Sequence, residues 1–195
     1  MPNWCFNQGS ISGSKDTIKK FIKDGLQVET LPESAVEIDD LLQSKELSLA
    51  TWLPRPEIFD IDTTNYPEKF PEAVKEQMEK YGVVGWYDWG LKFYGCKWDC
   101  IFDAFQYVEN NDNSDISFYF DSPWSPATEW FKNIQEKYPD LDFEVQYIEP
   151  GMCFSGEGST LRDGDDVTFD VIDFEDWTES PLYESLGYDE FIEED

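Results

Sequence analysis

A chain of 195 residues with 43 acidic and 14 basic side chains, a formal charge of -29 and no histidine is poorly suited to direct contact with phosphates or an anionic membrane surface, and imidazole catalysis and His-bearing metal sites are excluded. Its 8 tryptophans, 10 tyrosines and 15 phenylalanines supply enough apolar surface to fold a core of ordinary domain size despite that charge. No basic-flanked apolar leader and no run of bilayer-spanning length is visible, so a cytoplasmic protein is expected.

Taken in chain order, residues 3–12, with Trp4, Phe6 and Ile11, predict a first strand running into Gly13. Ser14 then offers an N-cap to a helix whose Ile18, Phe21 and Ile22 share a face and which Gly25 is expected to stop. The pattern loosens over about 26–94, where Pro54, Pro56, Pro67 and Pro71 punctuate the chain. Short helices are expected over 37–42 and 72–81, and the whole stretch reads as an insertion between core elements. Residues 101–108 and 116–120 are aromatic-rich strand candidates joined by turn-forming residues from Asn110 to Ser114. Ser125 and Pro126 start a helix with Ala127, Trp130, Phe131, Ile134 and Tyr138 on one face, ended by Pro139. In the strand that follows, Phe143, Val145 and Tyr147 alternate with Glu144, Gln146 and Ile148, and Pro150 and Gly151 close it. Residues 152–156 and 167–172 suggest a second hairpin across a turn at Asp163 and Gly164.

The core order is therefore β-α-β-β-α-β, the ferredoxin-like pattern in which two helices cover one face of a four-stranded antiparallel sheet. The expected class is α+β: a ferredoxin-like sandwich over 1–172 with an inserted helical elaboration, followed by an acidic, aromatic C-terminal extension over 173–195.

Four stretches carry a family resemblance: Pro2-Asn3-Trp4-Cys5-Phe6-Asn7, Gly95-Cys96-Lys97-Trp98-Asp99, Phe120-Asp121-Ser122-Pro123-Trp124-Ser125-Pro126, and the run from Glu149-Pro150-Gly151-Met152 to Gly156. In these the chain resembles the YubB ferredoxin-like proteins, found mainly in phage and plasmid genomes. The resemblance implies the same fold and a mobile-element origin, and it implies no activity. Cys96 stands where that family more usually has Thr and Cys100 where it has Ala, which speaks against a shared metal site.

Read from the residues alone, Cys5, Cys96, Cys100 and Cys153 are free thiols packed as small apolar groups. The acids at Asp112 and Asp115 with Asn113, and those at Asp163, Asp165 and Asp166, lack calcium-loop spacing and a bidentate Glu, so they read as turn formers. The aromatic run Trp86, Tyr87, Trp89, Phe93, Tyr94 and Trp98 has only Lys92 and Lys97 nearby and reads as core packing rather than a base-stacking platform. No catalytic residue, metal or cofactor is expected.

The acidic end is more informative. Fourteen carboxylates lie between Asp163 and Asp195, with no Lys or Arg after Arg162. Phe169, Phe174, Trp177, Tyr183, Tyr188 and Phe191 are interleaved with them, whereas a purely solvating tail has few aromatics. Such a segment is expected to dock on a partner or on the domain itself. The partner-binding residues are expected to be Asp163, Asp165, Asp166, Asp170, Asp173, Glu175 and Asp176, with Trp177 as an anchor. An even coat of charge would be too dilute to imitate a nucleic acid, while clustering on about a third of the surface would match one. The expectation is a non-enzymatic counter-defence inhibitor that mimics nucleic acid and occupies the basic groove of a host nuclease or other nucleic-acid-handling defence protein. The alternatives are an accessory or structural phage protein and, behind it, a carboxylate- or metal-dependent enzyme.

Overall fold

The computed structural model describes residues 3–110 and 113–191. Pro2 of the family-like opening, Asp112 of the calcium reading and the last carboxylates of the acidic run, Glu193 to Asp195, lie outside the described residues.

Six strands form one antiparallel sheet: β1 (Trp4–Ser14), β2 (Phe102–Glu109), β3 (Asn113–Pro123), β4 (Asp142–Glu149), β5 (Phe154–Asp163) and β6 (Asp166–Asp173), in the order β2-β3-β1-β4-β5-β6. The first four in sequence, side by side as β2-β3-β1-β4, have the strand order expected of a ferredoxin-like unit. The expected four-stranded sheet is widened to six, because the β5–β6 hairpin pairs with the free edge of β4 from Glu144↔Ser159 to Glu149↔Phe154. Gly164, at φ 62, allows the tight turn between Asp163 and Asp166.

Seven helices complete the described fold: α1 (Lys15–Leu26), α2 (Ala35–Gln43), α3 (Leu49–Trp52), α4 (Pro71–Tyr81), α5 (Gly85–Phe93), α6 (Thr128–Lys137) and α7 (Pro181–Ser185). Ser14 caps α1 by accepting from the Thr17 amide at 3.2 Å. Gly25 does not stop this helix, which runs on to Leu26 and ends with Gln27 in the left-handed region at φ 54. The glycine serves packing instead: a Cβ there would strike the indole of Trp52. The aromatic run before Trp98 forms α5, with Trp89 and Tyr94 buried.

Helices α1 and α6 cover one face of the sheet. Ile18, Phe21 and Ile22 of α1 and Trp130, Phe131 and Ile134 of α6 join Ile11, Phe118, Phe143, Val145 and Phe169 from the strands in a single core. The insertion contributes to that core rather than sitting beside it. Trp52 of α3 stacks on Phe21 at 4.6 Å between ring centroids and donates its indole N–H to the Phe21 carbonyl at 2.8 Å. The Trp130 indole likewise donates to the Leu49 carbonyl at 2.9 Å. At the outer edge of β2, α2 supplies side chains to the strand's backbone. Asp39 accepts from the Tyr107 amide and Gln43 donates to the Phe105 carbonyl, each at 2.9 Å. Where β2 meets α1, Glu109 receives Lys15 at 2.8 Å, Lys19 at 3.3 Å and the Tyr107 hydroxyl at 2.9 Å.

Candidate interaction surface

Among the described residues, no helix covers the middle of the opposite face of the sheet. Because side chains alternate along a strand and paired residues share a face, the register identifies which ones lie there. One row runs Gln106, Ser117, Ser10, Glu144, Ser159, Asp170, and the next runs Ala104, Tyr119, Gln8, Gln146, Glu157, Ile172. Glu144, Glu157 and Asp170 are exposed, and strand spacing sets them about 8 to 10 Å apart. A shallow groove of about 400 Å³ is lined by Glu144 and Glu157, together with Gln8, Ser10, Gln146 and Ser159.

Cations are kept away from this face. The six strands contain one basic residue, Arg162, and it is turned to the Asp142 carboxylate at 2.7 Å and to the Pro139 and Leu141 carbonyls. The other Lys and Arg belong to α1, the insertion up to Lys97, and α6. One side of the sheet is thus acidic and uncharged-polar, with the cations gathered on the helical side and in the insertion.

At one end of the open face the chain folds back on itself. Phe6 and Ile148 meet Leu182, Tyr183, Trp177 and Tyr188 in a second, smaller apolar cluster. Trp177 meets Tyr183 edge-on at 4.9 Å, Tyr188 lies 6.3 Å from Phe6, and Ser155 donates to the Trp177 carbonyl at 3.0 Å. Ser180 caps α7 through the Leu182 amide. Trp177, Tyr183 and Tyr188, three of the aromatics interleaved with the acids, are therefore docked on the chain's own sheet. Trp177, expected to anchor a partner, is half-buried in that internal cluster.

The expected partner-binding acids fall into three groups. Asp163, Asp165 and Asp166 stand exposed at the β5–β6 turn, and Asp170 lies on the open face. Asp173 pairs across from Gly156 and accepts a hydrogen bond from the buried Tyr147 hydroxyl, so it serves the fold. Glu175 is exposed, whereas Asp176 caps the turn at Trp177–Glu179, accepting from the Thr178 amide at 3.0 Å; that bond, followed by the Thr178 hydroxyl, holds its carboxyl below the usual range.

Sequence reasoning missed the acids outside the terminal run. Glu144 was visible in the alternation of β4, which sets it opposite the buried Phe143 and Val145, whereas Glu157 joins it only through the pairing of β5 with β4. Asp121, paired with Phe6 on the same face, is half-exposed and accepts from the Tyr119 hydroxyl at 3.0 Å. Partial burial, then the nearby Asp103 charge, raises its pKa, with the Tyr119 hydrogen bond opposing. Asp103 occupies the irregularity in β2 between Phe102 and Ala104.

All four cysteines are free; Cys5, Cys96 and Cys100 are buried and Cys153 is exposed. The Cys96 and Cys100 sulfurs lie 3.6 Å apart. No helix among the described residues is long and apolar enough to cross a membrane.

Comparison with known proteins bears on this half of the molecule. Residues 104–191 match the family model described as the ferredoxin-like domain in Api92-like protein. The match begins within β2 and runs past α7, so it includes the β5–β6 hairpin and the docked terminal segment. The crystal structure of a protein api92 from Yersinia pseudotuberculosis is similar at 14% sequence identity and a TM-score of 0.42, over 88% of this chain and 98% of that one. No curated protein matches the chain. The second half of the chain is thus similar in sequence to a ferredoxin-like domain of Api92-like proteins, in agreement with the strand order of the fold.

Proposed function

We propose that this chain is a non-enzymatic binding protein that presents spaced carboxylates to a basic nucleic-acid-handling protein and competes with nucleic acid for its groove. The observation that carries the reading is the open sheet face, where Glu144, Glu157 and Asp170 stand without a basic side chain among them. The terminal segment adds Glu175, Glu179, Glu184 and Asp189 to the same acidic stretch of chain. Charge of one sign on a rigid sheet steers encounter with a cationic groove and makes affinity fall with salt. The resemblance to the YubB family supports a phage or plasmid origin, and that association is the ground for proposing a counter-defence role in the host cytoplasm. The acidic end is then part of the binding surface as well as a cover for the Phe6 and Ile148 end of the sheet.

The test is capture from a host lysate on the immobilised chain, with a salt series and added duplex DNA. Basic nucleic-acid enzymes should be retained, released by salt and displaced by DNA, and a Glu144→Gln, Glu157→Gln, Asp170→Asn triple variant should retain them more weakly while keeping its melting temperature. Retained proteins that DNA fails to displace, or direct binding of DNA by the chain, would refute the reading.

A further inference from the structure

Three indoles break the rule that large aromatics are mostly buried. Trp4, Trp98 and Trp124 are 42%, 37% and 44% exposed; Trp4 opens β1 and Trp124 follows the last residue of β3. Trp4 pairs with Pro123 across the two strands, and the Trp124 amide donates to the Asn3 carbonyl at 2.9 Å. The Trp4 and Trp98 rings meet edge-on with centroids 6.4 Å apart.

The placement of Trp124 is held against its own backbone preference. Its φ of 71 lies in the left-handed region, which is costly for a bulky residue and persists only where surrounding structure fixes it. A buried network does so here. Asn7, fully buried, donates to Ser122 Oγ at 2.8 Å and accepts from the Ala127 amide at 3.3 Å. Ser122 Oγ donates to the Ser125 carbonyl, and Ser125 Oγ to the Gly95 carbonyl, both at 2.7 Å. A preorganised, exposed indole loses little entropy when it meets a partner.

The surroundings indicate what kind of partner. Asp99 follows Trp98 in the chain and accepts from the Ala50 amide at 2.9 Å through one oxygen; Asp121 lies two residues before Pro123 and accepts from the Tyr119 hydroxyl through one oxygen; among the described residues neither carboxylate has an ion-pair partner. The only basic side chain against these rings, Lys97, already lies 5.2 Å from the centroid of Trp98, so the molecule itself uses an indole face to hold a cation. Resting on the reading of the preceding subsection, we propose that the Trp4, Trp98 and Trp124 cluster is the anchor that holds arginine side chains of the basic partner protein. A guanidinium is planar and weakly hydrated, so it stacks on an indole while donating to a neighbouring carboxylate; an ammonium does this less well.

The probes are two synthetic peptides of equal length and charge, one alternating Arg and Gly and the other Lys and Gly, titrated into the full chain at low salt by calorimetry. The Arg peptide should bind about tenfold more tightly. A Trp4→Ala, Trp124→Gly double variant should lose that preference while keeping its affinity for the Lys peptide. Trp124→Gly alone should not lower the melting temperature, because glycine adopts the left-handed backbone without strain; this separates an anchoring role from a structural one. Lys97→Met should tighten Arg peptide binding by about threefold, by freeing one face of Trp98. Equal affinity for the two peptides, or a preference that survives the double variant, overturns the anchor and leaves the acidic-face reading standing. If neither peptide binds at low salt, both fall.

Discussion

Replacing Phe169 with Ala should loosen the β5–β6 hairpin from the rest of the sheet. Phe169 is the only side chain of β6 that is buried, at 5% exposure; its ring stacks on Phe131 of α6 at 5.3 Å and 19°. Burial of a phenylalanine contributes about 1.5–3 kcal/mol and an aromatic pair about 0.5–1.5 kcal/mol more. Truncation also leaves a cavity between β6 and α6, so the expected loss is about 4 kcal/mol, within the range for Phe→Ala in cores. In urea, with a slope of about 2 kcal/mol/M, the midpoint should fall by about 2 M at unchanged slope if the hairpin unfolds with the domain. Amide exchange should accelerate first in β6, since it has no further strand beyond it. A midpoint shift below about 0.5 M would refute the reasoning, because the ring would then not be what fastens the hairpin. A smaller slope alongside the shift would mean that the hairpin has become a separate unit.

Two further outcomes follow from local geometry. The ion pair with Lys15, then the Tyr107 hydroxyl and Lys19, lowers the Glu109 pKa from 4.5 to about 2. Its stabilising effect is therefore complete above the ordinary carboxylate range and is lost as pH falls from about 4.5 towards 2. Carboxyl-detected NMR titration should show that midpoint, and Glu109→Gln should flatten the acid limb of the stability curve; a midpoint near 4.5 would exclude these contacts to Glu109. At Gly9, a Cβ would overlap the Glu144 carbonyl and press on the Phe118 ring. Gly9→Ala should therefore cost about 3 kcal/mol in chemical denaturation by forcing β1 and β4 apart, and a neutral result would show that the strands approach less closely there.

The core of this fold was legible because its elements are locally consistent. Ser14 with Ile18, Phe21 and Ile22 marks α1, and the alternation of Phe143, Val145 and Tyr147 with Glu144 and Gln146 marks β4, whichever partners those elements find. Tertiary facts were not legible. Gly25 looks like a stop signal until Trp52, 27 positions later, is known to lie against it. Nothing local to β5 tells that it pairs with β4, since that depends on an edge being free. The terminal acids drew attention because they are contiguous in sequence, whereas Glu144, Glu157 and Asp170 come together only through strand register. Trp177 and Trp124 have similar neighbours in the chain, acids and turn formers. Their opposite fates are set by the Phe6 and Ile148 patch, which receives one, and by the Asn7 network, which holds out the other.

The two margins of the sheet are treated differently, and this bears on behaviour at high concentration. Along β2, Asp39 and Gln43 of α2 occupy backbone groups that a foreign strand would otherwise seek. Among the described residues the β6 margin has no such cover, but Asp166, Asp170 and Asp173 recur along it. Two molecules approaching margin to margin would set these carboxylates against their own images, and unpaired backbone would be a poor reward for that repulsion. Asp166, Asp170 and Asp173 therefore discourage self-association into extended sheets, whatever else Asp170 meets on the open face.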